Sequence, residues 1–353
     1  MKTSDVLVVG AGIIGLSLAR ELHKRGATVR VVERGQPGHE SSFAAAGMLV
    51  QHGPELPAVL KPLAEVSAAL YPEFVHELED ESGLRVDLRT EGTIAFVEEA
   101  DLAPEKGLRP LTAAEVSRLE PQVAPQRLPA WRLEEMTVDP RALTAACLKA
   151  ALHRGVEVAS GSPVTDLECE QGRIVGVRTT HTSYRAPAVV NCCGAWAGEI
   201  GGFQFPTRPV KGQMLSVAPA HRNLIHHVVR THDVYLVPRS NGRILIGATV
   251  EEAGFDKRVD ADTIHALDRA AVDLVPALAQ ARRLEAWAGL RPGTPDDLPI
   301  LGPTSLPGYF VATGHFRNGI LLAPTTALVM AEVVRGVTPS LDLASFSPAR
   351  FSP

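Results

Sequence analysis

Gly10-Ala11-Gly12-Ile13-Ile14-Gly15 is the first group in the chain whose types and spacing carry chemistry. It follows a valine-rich run, Asp5 to Val9, and opens a stretch of helical periodicity, Leu16 to Leu22, that stops near Gly26. A second apolar run, Thr28 to Val32, ends in Glu33. Strand, glycine turn, helix, strand and acid in that order are the arrangement that binds a dinucleotide. Gly10 permits the tight turn, Gly12 lets the backbone approach a pyrophosphate, and Gly15 lets the helix pack closely on the strand. The helix N-terminus, beginning around Ile14, offers its N–H groups to the phosphates, and Glu33 can accept the hydroxyls of the adenosine ribose.

FAD and NAD share this unit, so later segments must choose between them. After Arg34 the chain runs through Gly35 and Gly38 into Ser41-Ser42-Phe43-Ala44-Ala45-Ala46-Gly47-Met48-Leu49. Small residues in series let a backbone approach a flat ligand, and Ser41 and Ser42 can cap a helix near phosphate. A packed alanine-rich helix start would look the same. Val189 to Ala197 repeats the opening logic, an apolar strand running into Cys193, Gly194 and Trp196. Gly314-His315-Phe316-Arg317-Asn318-Gly319-Ile320 is a glycine-rich loop feeding a helix, suited to an anion or to the polar edge of a flavin.

These groups need elements to hold them. Leu60, Leu63, Val66, Leu70, Phe74 and Leu78 recur at near-helical spacing and predict a helix within Pro54 to Val86. A strand is expected over Arg89 to Val97, and a short helix over Leu111 to Leu119 with Thr112 and Glu115 at capping-box spacing. Pro140 stands in a first-turn position for a helix to Arg154. Further strands are expected at Val156 to Ala159, Val164 to Cys169, Ile174 to Thr180 and Ala188 to Cys193, with a helix starting after Gly194. From Thr207 to Leu284 the signals change to strands, Gly212 to Ala218, Val234 to Pro238 and Ile244 to Ala248, then a helix, Ile264 to Leu274. That stretch is a candidate second domain whose sheet can cover one side of a flavin. Trp287 to Pro295 is too glycine-punctuated for a helix, Tyr309 to Thr313 is a strand, and a helix then continues to about Val334. The Ser/Pro-rich tail from Leu341 is expected to fray.

Composition bounds the partners. The 353 residues are 45% hydrophobic and 21% charged with net charge -5, so no basic stripe is present to neutralise phosphates and a nucleic-acid partner is not expected. Cys147, Cys169, Cys192 and Cys193 form no CxxC pattern, and no metal constellation is read. Few cysteines suit a reducing compartment. The apolar N-terminus is broken by Gly10, Gly12 and Gly15 and falls short of the ~20 residues a span needs. A cytoplasmic protein without a membrane span is expected.

Together the segments resemble the D-amino-acid-oxidase superfamily, and within it the glycine oxidase branch. The resemblance rests on Gly10 to Gly15 with Glu33, Ser41 to Leu49, Tyr235-Leu236-Val237-Pro238-Arg239, Gly247-Ala248-Thr249, Gly289 to Thr294 and Gly314 to Pro324, and so covers nearly the whole chain. It implies an α/β, Rossmann-like FAD domain on a parallel sheet, at 1–50, 138–206 and 285–345. It also implies an α+β substrate domain on an antiparallel sheet, at 51–137 and 207–284, with 346–353 as a tail. FAD would be held without a covalent bond, since no cysteine follows Cys193. The implied cofactor contacts add Glu33, Arg34, Ser41, Ser42, Ala46, Gly47, Met48, Val164, Cys193, Gly194, Trp196, Gly289, Arg291, His315, Arg317, Asn318, Gly319 and Ile320 to Gly10, Gly12, Ile14 and Gly15 of the glycine turn.

In such enzymes Arg291 is the clamp for the substrate carboxylate, Tyr235 its hydrogen-bonding companion and Arg317 a second arginine beside the site. The rival readings are an inter-domain ion-pair residue for Arg291, half-buried core for Tyr235, and structural loop residues for Arg317 and His315. The implied reaction is oxidation of glycine or another small amino acid or amine, with the flavin returned by O2 to give peroxide. The resemblance further implies a homotetramer and a role in thiamine thiazole synthesis. Two positions depart from the family pattern: Asp233 stands where a histidine is usual, and Val250 where a methionine is usual. Met48, Asp233 and Val250 are therefore the residues expected to shape the substrate pocket. The departures leave open glycine against sarcosine, proline or a small D-amino acid. A dehydrogenase passing electrons to another acceptor remains the alternative reading.

Overall fold

In the computed structural model, which describes residues 4–51, 56–98, 108–202 and 204–351, the two valine runs are neighbouring parallel strands, Val6–Val9 and Val29–Val32. They lie at the centre of a six-stranded sheet, flanked by Ala188–Asn191, Tyr309–Thr313 and Ile300–Pro303 on one side and Glu157–Ala159 on the other. Only the Ile300–Pro303 edge runs antiparallel. Both faces are covered, which is why the strands read as continuous apolar runs rather than alternating ones. Val6 and Val8 pack under the helices Ile13–Lys24, Pro140–Arg154 and Gly319–Val334, while Leu7 and Val9 pack under a three-stranded sheet spanning residues 164–185.

The helix Lys61–Ser82 belongs to that same core. The domain division expected from sequence grouped it with the substrate sheet, but Leu63, Tyr71, Phe74 and Leu78 pack with Leu16, Leu22, Cys147 and Leu322. The reason is visible in its hydrogen bonds. Pro324 interrupts the helix Gly319–Val334 and cannot donate to the carbonyl four residues back, at Ile320. The Tyr71 hydroxyl supplies that bond at 2.6 Å, and Ser67 Oγ donates to Leu321 O at 2.6 Å. Pro54 and Glu55, where the helical pattern was read to begin, lie outside the described residues.

The second sheet has eight strands, in the order Arg282–Gly293, Arg208–Ala218, Ile244–Gly247, Tyr235–Pro238, Val228–Arg230, Thr93–Phe96, Ala130–Leu133, Arg109–Leu111. Its pairings are antiparallel except for Val228–Arg230 with Thr93–Phe96. Leu215, Val217, Leu236, Ile244 and Ile246 alternate onto one face and pack with the helix Ala261–Leu274. The other face looks toward the parallel sheet's domain.

Local signals mostly hold, with three corrections. Thr112 and Glu115 do close a capping box on the helix Ala113–Leu119. The single strand read over Arg89 to Val97 is two strands, Leu88–Arg89 and Thr93–Phe96. They are split at Gly92, whose φ of 91° and proximity to Leu133 O exclude a side chain. After Gly194 the chain makes a 3-10 turn, Gly194–Glu199, rather than an α-helix. The tail does not fray through 344–351: Phe346 is buried in the main core and Arg350 Nε lies 2.8 Å from Asp296 Oδ2. Among the described residues no helix is long and apolar enough to cross a membrane, and no cluster of His, Cys, Asp or Glu could hold a metal.

Candidate active site

The carboxyl ends of the parallel strands and the open face of the eight-stranded sheet enclose a cavity of about 870 Å³. Its nucleotide end is built by the glycine turn. Gly10 has φ 104°, and a side chain there would meet the Cys192 carbonyl oxygen at 2.6 Å, so only glycine makes the turn. Gly15 is the one member of the expected set that does not line the cavity; it lies against Gly10 and Val8, where helix and strand touch. The helix Ile13–Lys24 starts at Gly12 with no acidic residue in its first turn, leaving its positive end available to an anion.

The serines act differently from the expectation. Ser42 Oγ accepts from Ile13 N at 3.0 Å, so it serves the N-terminus of the glycine-turn helix and not its own short turn. Ser41 donates to the Leu290 carbonyl on the second sheet. Glu33 accepts from Ala11 N at 2.7 Å and Gly35 N at 2.8 Å, which fixes its carboxylate across the turn. Arg34 Cζ lies 3.7 Å over the Trp196 ring, and both line this end of the cavity with Val164, Cys193 and Gly194. Burial pushes the Cys192 and Cys193 thiols well above their ordinary range, and Cys193 Sγ donates to Val9 O at 3.3 Å. Neither is a thiolate nucleophile.

The other end is made by cross-strand register. Tyr235, Gly247, Met214 and Trp287 form one row across four strands, Gly212 and Gly289 the next, and Val210 and Arg291 the one after. Arg291 and Tyr235 therefore share the cavity face although they are far apart in sequence. A Cβ on Gly212 would sit 2.5 Å from Arg291 Nη1 and Nη2, and one on Gly247 would sit 2.8 Å from the Tyr235 hydroxyl oxygen. Two side-chain-free positions thus make the space in which the guanidinium and the phenol lie. Arg291 Nη1 donates to Thr249 O at 3.0 Å and to Lys211 O at 3.3 Å, and Tyr235 OH lies 3.7 Å from Met214 Sδ.

The segment Ala44 to Met48 crosses from the nucleotide end to this wall. Trp287 Nε1 donates to Ala44 O at 3.1 Å, Gly289 lies against Ala44, and Ala46, Gly47 and Met48 line the cavity. Opposite, His315 is buried, with Nε2 3.1 Å from Thr326 Oγ1, and burial pushes its pKa down to about 3, so the ring is neutral. Phe316 N donates to Pro292 O at 3.0 Å, tying that loop to the end of the Arg282–Gly293 strand. Arg317 is exposed at the cavity edge, and Asn318, Gly319 and Ile320 line it where the last helix begins. Asp233 and Val250 are at the mouth: the Asp233 side chain is 85% exposed and Val250 52% exposed. Asp233 is thus not a buried carboxylate in need of a partner.

Sequence reasoning missed Gly212, Gly247, Met214 and Trp287 as site residues. The strands that carry them were foreseen, but their pairing register is set by tertiary packing and has no local signal. A glycine two residues from a methionine on an apolar strand was the one available hint. What results is a glycine-lined groove with a helix N-terminus at one end and an arginine fork with a phenol at the other. The first half suits a pyrophosphate and adenosine, so FAD fits the residues present. The second matches a carboxylate.

The comparisons agree with this geometry. The FAD dependent oxidoreductase family model matches residues 5–333. The chain is 35% identical over 361 residues to a glycine oxidase of Pseudomonas aeruginosa, covering 98% of each protein. It is 36% identical over 363 residues to a bifunctional protein ThiO/ThiG of Trichormus variabilis, covering 99% of this chain but 55% of that protein, so it spans about half of that longer relative. The crystal structure of glycine oxidase from Geobacillus kaustophilus superposes with a TM-score of 0.94 at 34% identity, covering 100% of both chains. A match over most of the chain, in sequence and in fold, with a cavity shaped for the cofactor, assigns this protein to the FAD-dependent oxidoreductases of the D-amino-acid-oxidase type.

Proposed function

We propose that the protein oxidises the C–N bond of glycine or another small amino acid to the imino acid, which water converts to the 2-oxo acid and ammonia. The observation that carries this reading is the shared cavity face of Arg291 and Tyr235, cleared by Gly212 and Gly247. Arg291 holds both oxygens of the substrate carboxylate and Tyr235 donates to one of them. With that end fixed, the substrate's Cα–H is turned toward the cofactor cavity. FAD, when bound, supplies the hydride acceptor, and O2 takes the electrons on as hydrogen peroxide.

No side-chain base is required, because a neutral amine's own lone pair assists departure of the hydride. Burial keeps His315 uncharged, so it adds no cation beside the reacting centre. Gly10, Gly12, Glu33, Arg34, Trp196, Val164 and Asn318 would hold the cofactor, with Gly15 closing the turn from behind, and Met48, Asp233 and Val250 would bound the substrate space, with Arg317 at its edge.

We assign the cofactor domain to 1–50, 138–206 and 294–345 together with the helix Lys61–Ser82, and the substrate domain to the eight-stranded sheet, which takes in Arg282–Gly293, and its helix. The small substrate and O2 are its partners. A homotetramer in the cytoplasm, serving thiazole formation, extends the family resemblance. Anaerobic mixing with glycine, sarcosine, D-alanine and D-proline, followed by admission of air, tests the reading. Bleaching by glycine and rapid recovery with peroxide release is expected. Sluggish recovery would point to a different electron acceptor, and no bleaching by any of the four would overturn the assignment.

A further inference from the structure

The segment between the strand Ile244–Gly247 and the helix Ala261–Leu274 leaves the eight-stranded sheet and reaches the cofactor domain. It is anchored at both ends. Glu251 exchanges backbone hydrogen bonds with Lys211, and Asp260 N donates to Gln213 Oε1 at 2.7 Å. Between these anchors Phe255 stacks on Trp196, with ring centroids 5.3 Å apart and planes inclined by 26°. Lys257 Nζ lies 3.0 Å from Glu40 Oε2. Glu40 is also paired with Arg34 at 2.9 Å, and Arg34 lies over Trp196 at 3.7 Å. Phe255, Trp196, Arg34, Glu40 and Lys257 thus form a closed circuit of contacts that joins the two halves of the molecule.

Arg34, Glu40 and Trp196 line the cavity beside Glu33; Phe255 and Lys257 stand behind them. Phe255 takes no part in the core beneath the eight-stranded sheet and is 44% exposed; among the described residues its ring stacks on this wall. Aromatic stacking and a cation over a ring both stabilise the wall in one position.

We propose that residues 251–260 are a clasp by which the substrate-binding half retains the adenosine end of FAD. Phe255 holds Trp196 in place, and Lys257 holds Glu40 and through it Arg34. For FAD to leave, the stack and the ion pair must open together, so the rate of cofactor loss is governed by a segment that does not itself touch the cofactor. The proposal rests on the adenosine lying at Glu33.

The test measures FAD release from the purified holoenzyme by recovery of flavin fluorescence after dilution, for F255A, F255Y, K257M and the F255A/K257M pair. Both side chains lie at the surface, so the fold is not at stake. Release is expected to be about tenfold faster in F255A, from loss of one aromatic stack, and faster still in the pair, while F255Y keeps the original rate. Turnover at saturating FAD is expected to stay unchanged in all four. High salt is expected to bring the unaltered protein toward K257M, because an exposed ion pair is screened. Release from the double variant at the original rate, or from F255Y as fast as from F255A, overturns the clasp. A protein that binds no FAD even before substitution overturns the adenosine placement beneath it.

Discussion

Gly212 and Arg291 stand on paired strands so close that a methyl group on Gly212 would lie 2.5 Å from both terminal nitrogens of the guanidinium. Gly212→Ala must therefore displace the clamp. Misplacing a positioning group by ~1 Å can cost about 100-fold in rate, so kcat/KM for the amino acid is expected to fall by roughly ten- to 100-fold. The absorbance of bound FAD should stay, since Gly212 contacts the arginine and not the glycine turn. Steady-state kinetics on the flavin-loaded variant checks this, and unchanged kcat/KM would show that Arg291 does not bind substrate from its present position.

In the proposed binding mode Tyr235 donates a hydrogen bond to the substrate carboxylate from a ring whose position Gly247 permits. Tyr235→Phe keeps the ring and removes the hydroxyl, and a hydrogen bond to a charged group contributes about 1.5–3 kcal/mol. A loss of roughly ten- to 100-fold in kcat/KM is expected, expressed mainly in KM. An effect on kcat alone would instead assign the hydroxyl to the redox step.

Much of this site was legible because its chemistry is local. The turn Gly10 to Gly15, Glu33 and the Gly314 to Ile320 loop each need their residue types within a few positions, and Gly10, Gly12, Ile14, Glu33 and the residues from His315 to Ile320 line the cavity. Arg291 and Tyr235 were reachable only through the family resemblance, because their meeting depends on sheet register. Gly247 stood in the resembling block without a role and Gly212 stood outside it: a glycine's contribution here is the absence of atoms, which has meaning only once the neighbouring strand is known. The helix Lys61–Ser82 was legible as a helix but not its packing with Leu16 and Leu322, since periodicity reports that a face is buried and not against what. The tail misled because Ser and Pro composition hid one anchoring residue, Phe346.

Non-covalent retention of FAD follows from the thiols. Among the described residues Cys192 and Cys193 are the cysteines nearest the cavity, and burial holds both in the protonated form. Acid precipitation of the yellow holoenzyme is expected to leave all of the flavin in the supernatant. Colour that stays with the pellet would reveal a covalent link.

His315 makes stability depend on pH. Its folded pKa of about 3 lies below the ordinary value of 6.5, so between those values the unfolded chain binds a proton that the folded chain does not. Stability is therefore lost as pH falls through that window and is unaffected by this group above it. His315→Gln removes the effect, so the fall in Tm between pH 7 and about 4 is expected to be shallower in the variant than in the original protein. Parallel curves would show that the ring is accessible to protons in the fold.

If the Arg291 fork fixes a substrate carboxylate, rapid anaerobic mixing of Arg291→Met with glycine must show it. Two charge-assisted hydrogen bonds at about 1.5–3 kcal/mol each correspond to roughly 10²–10⁴-fold. The variant is expected to retain FAD and its visible spectrum while the glycine concentration needed for half-maximal bleaching rises by about that factor. Bleaching by glycine at the same concentration in both proteins would contradict it.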